Sequence, residues 1–170
     1  MRFETVNTTL ILSGPVVDGD LAHLRDALQD TTLRQVLLHQ SPGGDSWTGL
    51  RLGHETRQAG LNTLLSGQCA SACGYMFLGG VERRLTDGKF PTALMQQTVN
   101  SSHAQDFMEF AITPRMLRQP QPRGVFQCLI GADQRRTRLE LEGYSAINTG
   151  VVTHPDIVTL EPALRNRLPP

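Results

Sequence analysis

Residues Gly67 to Gly80 read Gly-Gln-Cys-Ala-Ser-Ala-Cys-Gly-Tyr-Met-Phe-Leu-Gly-Gly. A turn of small residues follows a β-prone run, Leu61–Leu65, and leads directly into an apolar helical segment. This order places Ser71 at a helix N-terminus, where unpaired backbone N–H groups favour negative charge. Upstream, Ser41-Pro42-Gly43-Gly44 is a second bend whose glycines let the backbone approach a ligand closely. Two such bends on neighbouring strands would converge on one hydroxyl.

The flanking segments supply the strands and helices that this requires. Thr9–Leu12 reads as a strand ending at Gly14-Pro15. Asp18 or Asp20 is a candidate cap for a helix with Leu21, Leu24 and Leu28 on one face. Residues Gln35 to His39 form a short apolar strand of the kind buried on both faces of a parallel sheet. Asp45–Gln58 then reads as a helix with Trp47, Leu50 and His54 on one face, stopped by Gly60. A strand at Asn62–Leu65 precedes the Ser71 helix. Alternating strands and helices at this spacing predict parallel βα units with right-handed crossovers, whose ligands bind at the carboxyl ends of the strands. Both bends lie at such ends. Glu82–Thr86 and Thr92–Gln97 are further strand candidates, His103–Ile112 a helix and Gly143–Thr149 a last strand. Arg135-Arg136-Thr137-Arg138 reads as a solvated helix face.

At 170 residues the chain fits one domain over 1–150 with a proline-marked tail over 151–170 that wanders or packs on a neighbour. Sixteen basic and sixteen acidic residues leave no net charge, so no global field recruits nucleic acid or an anionic membrane. Mean hydropathy is −0.24. No apolar run approaches the roughly 18 residues of a membrane span, and the first residues lack the pattern of a signal peptide. Three cysteines are an odd number, which argues against an oxidising compartment. The expectation is a cytoplasmic protein without metal or cofactor. Cys69 and Cys73 read as packing residues at a helix start, not as a metal or redox pair.

Taken in order, Ser41-Pro42-Gly43-Gly44, the run from Gly49 to Gly53, Gly60-Leu61-Asn62-Thr63, the Cys-Ala-Ser-Ala-Cys element and Phe77-Leu78-Gly79-Gly80 resemble the ClpP-like serine peptidase branch of the ClpP/crotonase superfamily. The resemblance is dense from about Leu10 to Leu85. It implies an α/β fold of repeated ββα and βα units with a mainly parallel sheet, a peptide ligand and a homo-oligomer. It assigns Ser71 as nucleophile, and the N–H groups of Gly44, beside Gly43, and of Ala72 as oxyanion donors. Taken without the family, a serine at a helix start is more often a cap.

The base is where the chain departs from that pattern. The histidine of ClpP-like peptidases stands roughly 25 residues past the serine, on Gln96 here, or on Leu94 at a shorter spacing. An amide is no base at neutral pH. The aspartate position aligns with Asn148. Substitute bases are His103 at the next predicted helix, His39 at the end of its strand, and Lys89 beyond a turn. Without a base the expectation is weak or absent peptidase activity, since removing a triad histidine costs about a millionfold in turnover. The alternatives are a live serine hydrolase using His103, or a crotonase-type acyl-thioester enzyme that relies on paired amides.

Overall fold

A computed structural model of the chain describes residues 1–87, 94–98, 138–141, 153–154 and 156–169. Among them a hairpin of β1 (Arg2–Val6) and β2 (Thr9–Ser13) leads to α1 (Asp20–Ala27), β3 (Gln35–Ser41), α2 (Ser46–Gln58), β4 (Asn62–Ala70) and α3 (Ala72–Gly79). Three shorter strands follow, β5 (Arg83–Leu85), β6 (Leu94–Thr98) and β7 (Arg138–Leu141), and then α4 (Pro162–Arg165). The sheet runs β1-β2-β3-β4-β6-β7, with β5 also on β4. The β2–β3, β3–β4, β4–β5 and β4–β6 pairings are parallel. Only the outer pairs β1–β2 and β6–β7 are antiparallel.

Strand alternation sorts the side chains into two cores. Leu10, Leu12, Val36, Leu38 and Leu65 point to the face covered by α1, α2 and α3. Ile11, Leu37 and Leu64, one residue out of step, meet Leu160, Leu164 and Leu168 on the other face. The described part of the tail therefore packs on its own sheet. Its approach is fixed by a bridge from Val158 to Thr86, by the Leu160 N–H donating to Asp87 at 2.8 Å, and by an Arg165–Asp87 ion pair at 2.9 Å.

Helix α3 is buried at all eight residues, so its neighbour must come very close. Gly49 and Gly53 of α2 make that possible. A methyl group on Gly49 would lie 2.6 Å from the Ala72 carbonyl oxygen, and one on Gly79 would collide with the Gly53 backbone. The buried residues of α2 are Thr48, Gly49, Leu50, Leu52, Gly53 and Thr56. Of the expected Trp47–Leu50–His54 face, Leu50 is buried, but Trp47 is 48% exposed and His54 is exposed. The glycine spacing outweighed the apolar pattern because it sets how near the two backbones can pass. At its far end, α3 offers carbonyls to cations: Arg57 donates to Leu78 and Gly80, and the buried Arg83 donates to Gly80. Burial first, then the Arg57 charge, brings Arg83 down to about 9, so it stays charged at neutral pH.

Helix α1 starts differently from expectation. Its N-cap is Gly19 in the left-handed region, with no side-chain cap bond. Asp20 instead accepts from the Val17 N–H at 2.8 Å. Strands β1 and β7 were not foreseen, and Arg138, read as part of a helix face, begins β7. The expected elements over 103–112 and 143–149 lie outside the described residues. No helix among the described residues is long and apolar enough to cross a membrane.

The Leu160 N–H first, and the Arg165 side chain, hold the Asp87 carboxyl below the usual carboxylate range. A folded-state value below the unfolded one stabilises fully above the unfolded value, and the benefit fades as pH falls through the folded one. Acidification through that window should therefore raise hydrogen exchange in residues 156–169 ahead of the β2–β3–β4 core. Asp87→Asn should show the faster exchange already at neutral pH and lose that pH dependence.

Candidate functional site

Strand β4 does not stop at Leu65 as the sequence suggested. It continues through a bulge to Ala70, delivering the chain straight to Ser71. At the bulge, pairing shifts from His39↔Ser66 to Ser41↔Cys69, and both Gln40 (φ 45°) and Gly67 (φ 77°) have positive φ. The Gln40 side-chain oxygen accepts from the Gln68 N–H at 3.0 Å, which compensates the backbone that the bulge unpairs. One extra residue in β4 thus brings the end of that strand level with the end of β3.

Ser71 sits between β4 and α3 with φ 51° and ψ −119°, a conformation that costs a residue with a Cβ about 1–3 kcal/mol. Its hydroxyl makes no capping hydrogen bond, which sets aside the reading of Ser71 as a cap. The side chain is partly buried. Gly43 lies directly over the turn: a methyl group there would stand 2.8 Å from the Ser71 Cβ and 3.0 Å from the Ala72 nitrogen, and would overlap the Ala70 carbonyl. Only glycine fits, and its φ of 86° also favours glycine. The two bends do converge.

The Gly43-Gly44 bend is itself anchored to the β2–α1 connection. Val16 donates to the Gly43 carbonyl at 2.8 Å, and Asp45 donates to the Val16 carbonyl at 3.0 Å. Asp45 then caps α2 by accepting from the Thr48 N–H at 2.7 Å. Among the described residues, the amides of Gly44 and Ala72 take no part in the bonds that fix this bend. Gly44 is exposed, whereas Gly43 and Ala72 are buried. A carbonyl oxygen entering beside Ser71 meets the first N–H groups of α3, at the positive end of its dipole.

Strand β6 lies beside β4 just before the serine, with Gln68↔Leu94, Cys69↔Met95 and Ala70↔Gln96 in register. Gln96 is therefore level with the residue that precedes Ser71, and Leu94 is two positions further from it. Across the sheet, Glu140 of β7 is in register with Gln96, a position that sequence reasoning did not single out. His103, Lys89 and Asn148 lie outside the described residues.

His39 is fully buried and faces away from the serine. Its strand position puts it on the face of Leu37, where Nδ1 is 3.2 Å from the Ser66 hydroxyl and Nε2 is 3.0 Å from the Pro169 carbonyl oxygen. A carbonyl can only accept, so Nε2 carries a proton and donates to it. This overturns His39 as a substitute base: the imidazole ties the tail to the sheet. His54 is exposed, and His154 contacts Thr153 at 2.8 Å.

Cys69 and Cys73 are joined by a disulfide, with Cα atoms 5.3 Å apart. This corrects their reading as packing thiols. Four-residue spacing was judged as helix spacing, but the pair straddles a strand-to-helix reversal that brings the two Cα atoms within bonding range. Such cross-links persist in oxidising surroundings. The odd cysteine count therefore no longer supports a cytoplasmic setting.

No family model matches the chain, and no curated protein matches it. Solved structures do. A mutant of the 1510-N membrane-bound stomatin-specific protease superposes with a TM-score of 0.59 at 13% identity, over 86% of this chain and 78% of that one. A ClpP1 mutant from Listeria monocytogenes superposes with a TM-score of 0.60 at 15% identity, over 93% of this chain and 95% of that one. The architecture is a mixed α/β, mostly parallel ClpP-like fold.

If the Ser71 backbone is strained, removing its Cβ should relieve it. Ser71→Gly is expected to raise unfolding free energy by about 1 kcal/mol in urea titration. Ser71→Ala, which keeps the Cβ, should leave stability unchanged.

Proposed function

We propose that this chain is a ClpP-like serine hydrolase homologue that carries the nucleophile, Ser71, and the oxyanion bend of Gly43, Gly44 and Ala72, while Gln96 and Asn148 occupy the positions of the histidine and aspartate. It binds peptide segments at the elbow and turns them over weakly or not at all. The observation that carries this reading is the uncapped, strained serine beneath Gly43, with Gln96 level with the adjacent Ala70.

Attack by a serine hydroxyl on an acyl carbon releases a proton that a neighbouring base must take. The glutamine amide accepts a hydrogen bond but not that proton. Two amides at the mouth of α3 still polarise a bound carbonyl. Oxyanion donors and binding alone give roughly a thousand- to ten-thousand-fold over water, against about a further millionfold lost with the triad. The balance leaves recognition of an acyl or peptide carbonyl as the main capacity. The likeness to ClpP further supports self-assembly, and Val17 and Trp47, 47% and 48% exposed, supply apolar surface for it. Light scattering at micromolar concentration should give a mass above that of one chain, and a monomer would refute the assembly.

A fluorophosphonate probe tests the chemistry. The native protein should label slowly, and Ser71→Ala should abolish the labelling. Gln96→His should raise the labelling rate on the order of a hundredfold, the usual contribution of a positioned general base. Rapid labelling of the native protein that is lost in His103→Ala would instead establish a live hydrolase with His103 as base.

A further inference from the structure

We propose that the Cys69–Cys73 disulfide is a positioning device that holds the Ser71 elbow at its positive φ. Among the described residues, three non-glycine residues have positive φ: Asn7, Gln40 and Ser71. Asn7 stands in the turn between β1 and β2, and asparagine tolerates that region well. Gln40 is compensated by its own side chain, which accepts from the Gln68 N–H. Ser71 has neither help, because its hydroxyl makes no capping bond and serine has no special liking for this φ.

The cross-link supplies what the side chain does not. It joins the residue two before Ser71 to the residue two after it, Cα to Cα across 5.3 Å, where an extended chain of that length would reach about 13–14 Å. An extended chain cannot close this ring, and in this structure the turn that closes it is centred on Ser71. Gly43 presses on the turn from one side, and the disulfide holds it from below, within the core that α3 shares with the sheet. Both cysteines are 0% exposed, so the bond is sheltered from thiols in the folded protein and acts as a fixed part of the site. It forms as the chain folds. Two thiols pass two electrons and two protons to the disulfide of a thiol oxidant, which leaves as the dithiol.

The proposal rests on Ser71 being the functional hydroxyl, but its test reads backbone geometry and is decided even if the protein never labels. In the native, isotope-labelled protein, the peptide spanning Cys69 to Cys73 should be lighter by two hydrogens than its dithiol. Under mild denaturant, reduction with dithiothreitol and return to buffer should move the Ser71 Cα and Cβ resonances by more than their linewidths. The methyl resonances of Leu24 and Leu164, one from each core, should stay in place, and reoxidation should restore Ser71. Where the reduced chain does not refold, Cys69→Val with Cys73→Ala replaces reduction and should give the same displacement. A free dithiol in the native protein, unmoved Ser71 resonances, or failure of both reduced and substituted forms to fold would each overturn the proposal, the last because the bond would then be a staple of the whole domain.

Discussion

Side-chain volume is excluded where the ends of β3 and β4 meet, and the rest of the molecule is arranged around that exclusion. Gly43 rests against the Ser71 turn at distances no Cβ permits, and Gly49 stands in the same relation to the Ala72 carbonyl one helical element later. A parallel pair of strands normally keeps its following loops apart, because each must clear the helix it enters. Here α2 and α3 cross through Gly49, Gly53 and Gly79, so the two loops approach. The approach brings the Gly43-Gly44 bend, the Ser71 hydroxyl and the N-terminal end of the α3 dipole within one small volume.

Close backbone contact removes flexibility as well as space. Helix α3 has no solvent face, its carbonyl end is held by Arg57 and Arg83, and the Thr63 hydroxyl donates to its Phe77 carbonyl at 2.7 Å. The carboxyl end of α3 is thus held against β4, and its start follows Ser71 directly from the end of that strand. The opposite face of the sheet is closed by the tail through Leu160, Leu164 and Leu168 and through the His39–Pro169 contact. A histidine that the sequence offered as chemistry serves there as a structural tie, because alternation along β3 assigned it to the face of Leu37.

Much of this was legible before any coordinates. Apolar runs bounded by Gly-Pro and Pro-Gly-Gly signals gave β2, β3 and the start of β4, and the order of strands and helices gave the parallel sheet with both bends at its carboxyl edge. The parts that were missed share a cause: they depend on contacts between distant segments. The bulge at Gln40 and Gly67 extends β4 by pairing with a neighbour, and no local pattern announces it. Burial of Gly49 and Gly53 in place of Trp47 follows from what α3 presents. The Cys69–Cys73 bond follows from a reversal whose sharpness is set by packing. Even so, two of them left a trace in the sequence, namely the glycines Gly49 and Gly53 spaced by four on α2 and two cysteines symmetric about the serine.

A site of this kind is expensive to hold together. A strained residue of about 1–3 kcal/mol is a sizeable fraction of the roughly 5–15 kcal/mol by which a domain is stable, and a serine used only as a helix start could relax into an ordinary cap. It has not, although Gln96 of β6, level with the adjacent Ala70, carries an amide and no imidazole. Strain at the elbow serves any function that needs a hydroxyl and two N–H groups aimed at one carbonyl, and capture of a carbonyl needs them as much as cleavage does. Proton acceptance and carbonyl polarisation are distinct chemical demands, and the second can be met without the first. In this fold β6 runs beside β4 while the β3–α2 and β4–α3 bends meet at Ser71, so a change of side chain on β6 need not disturb the bends.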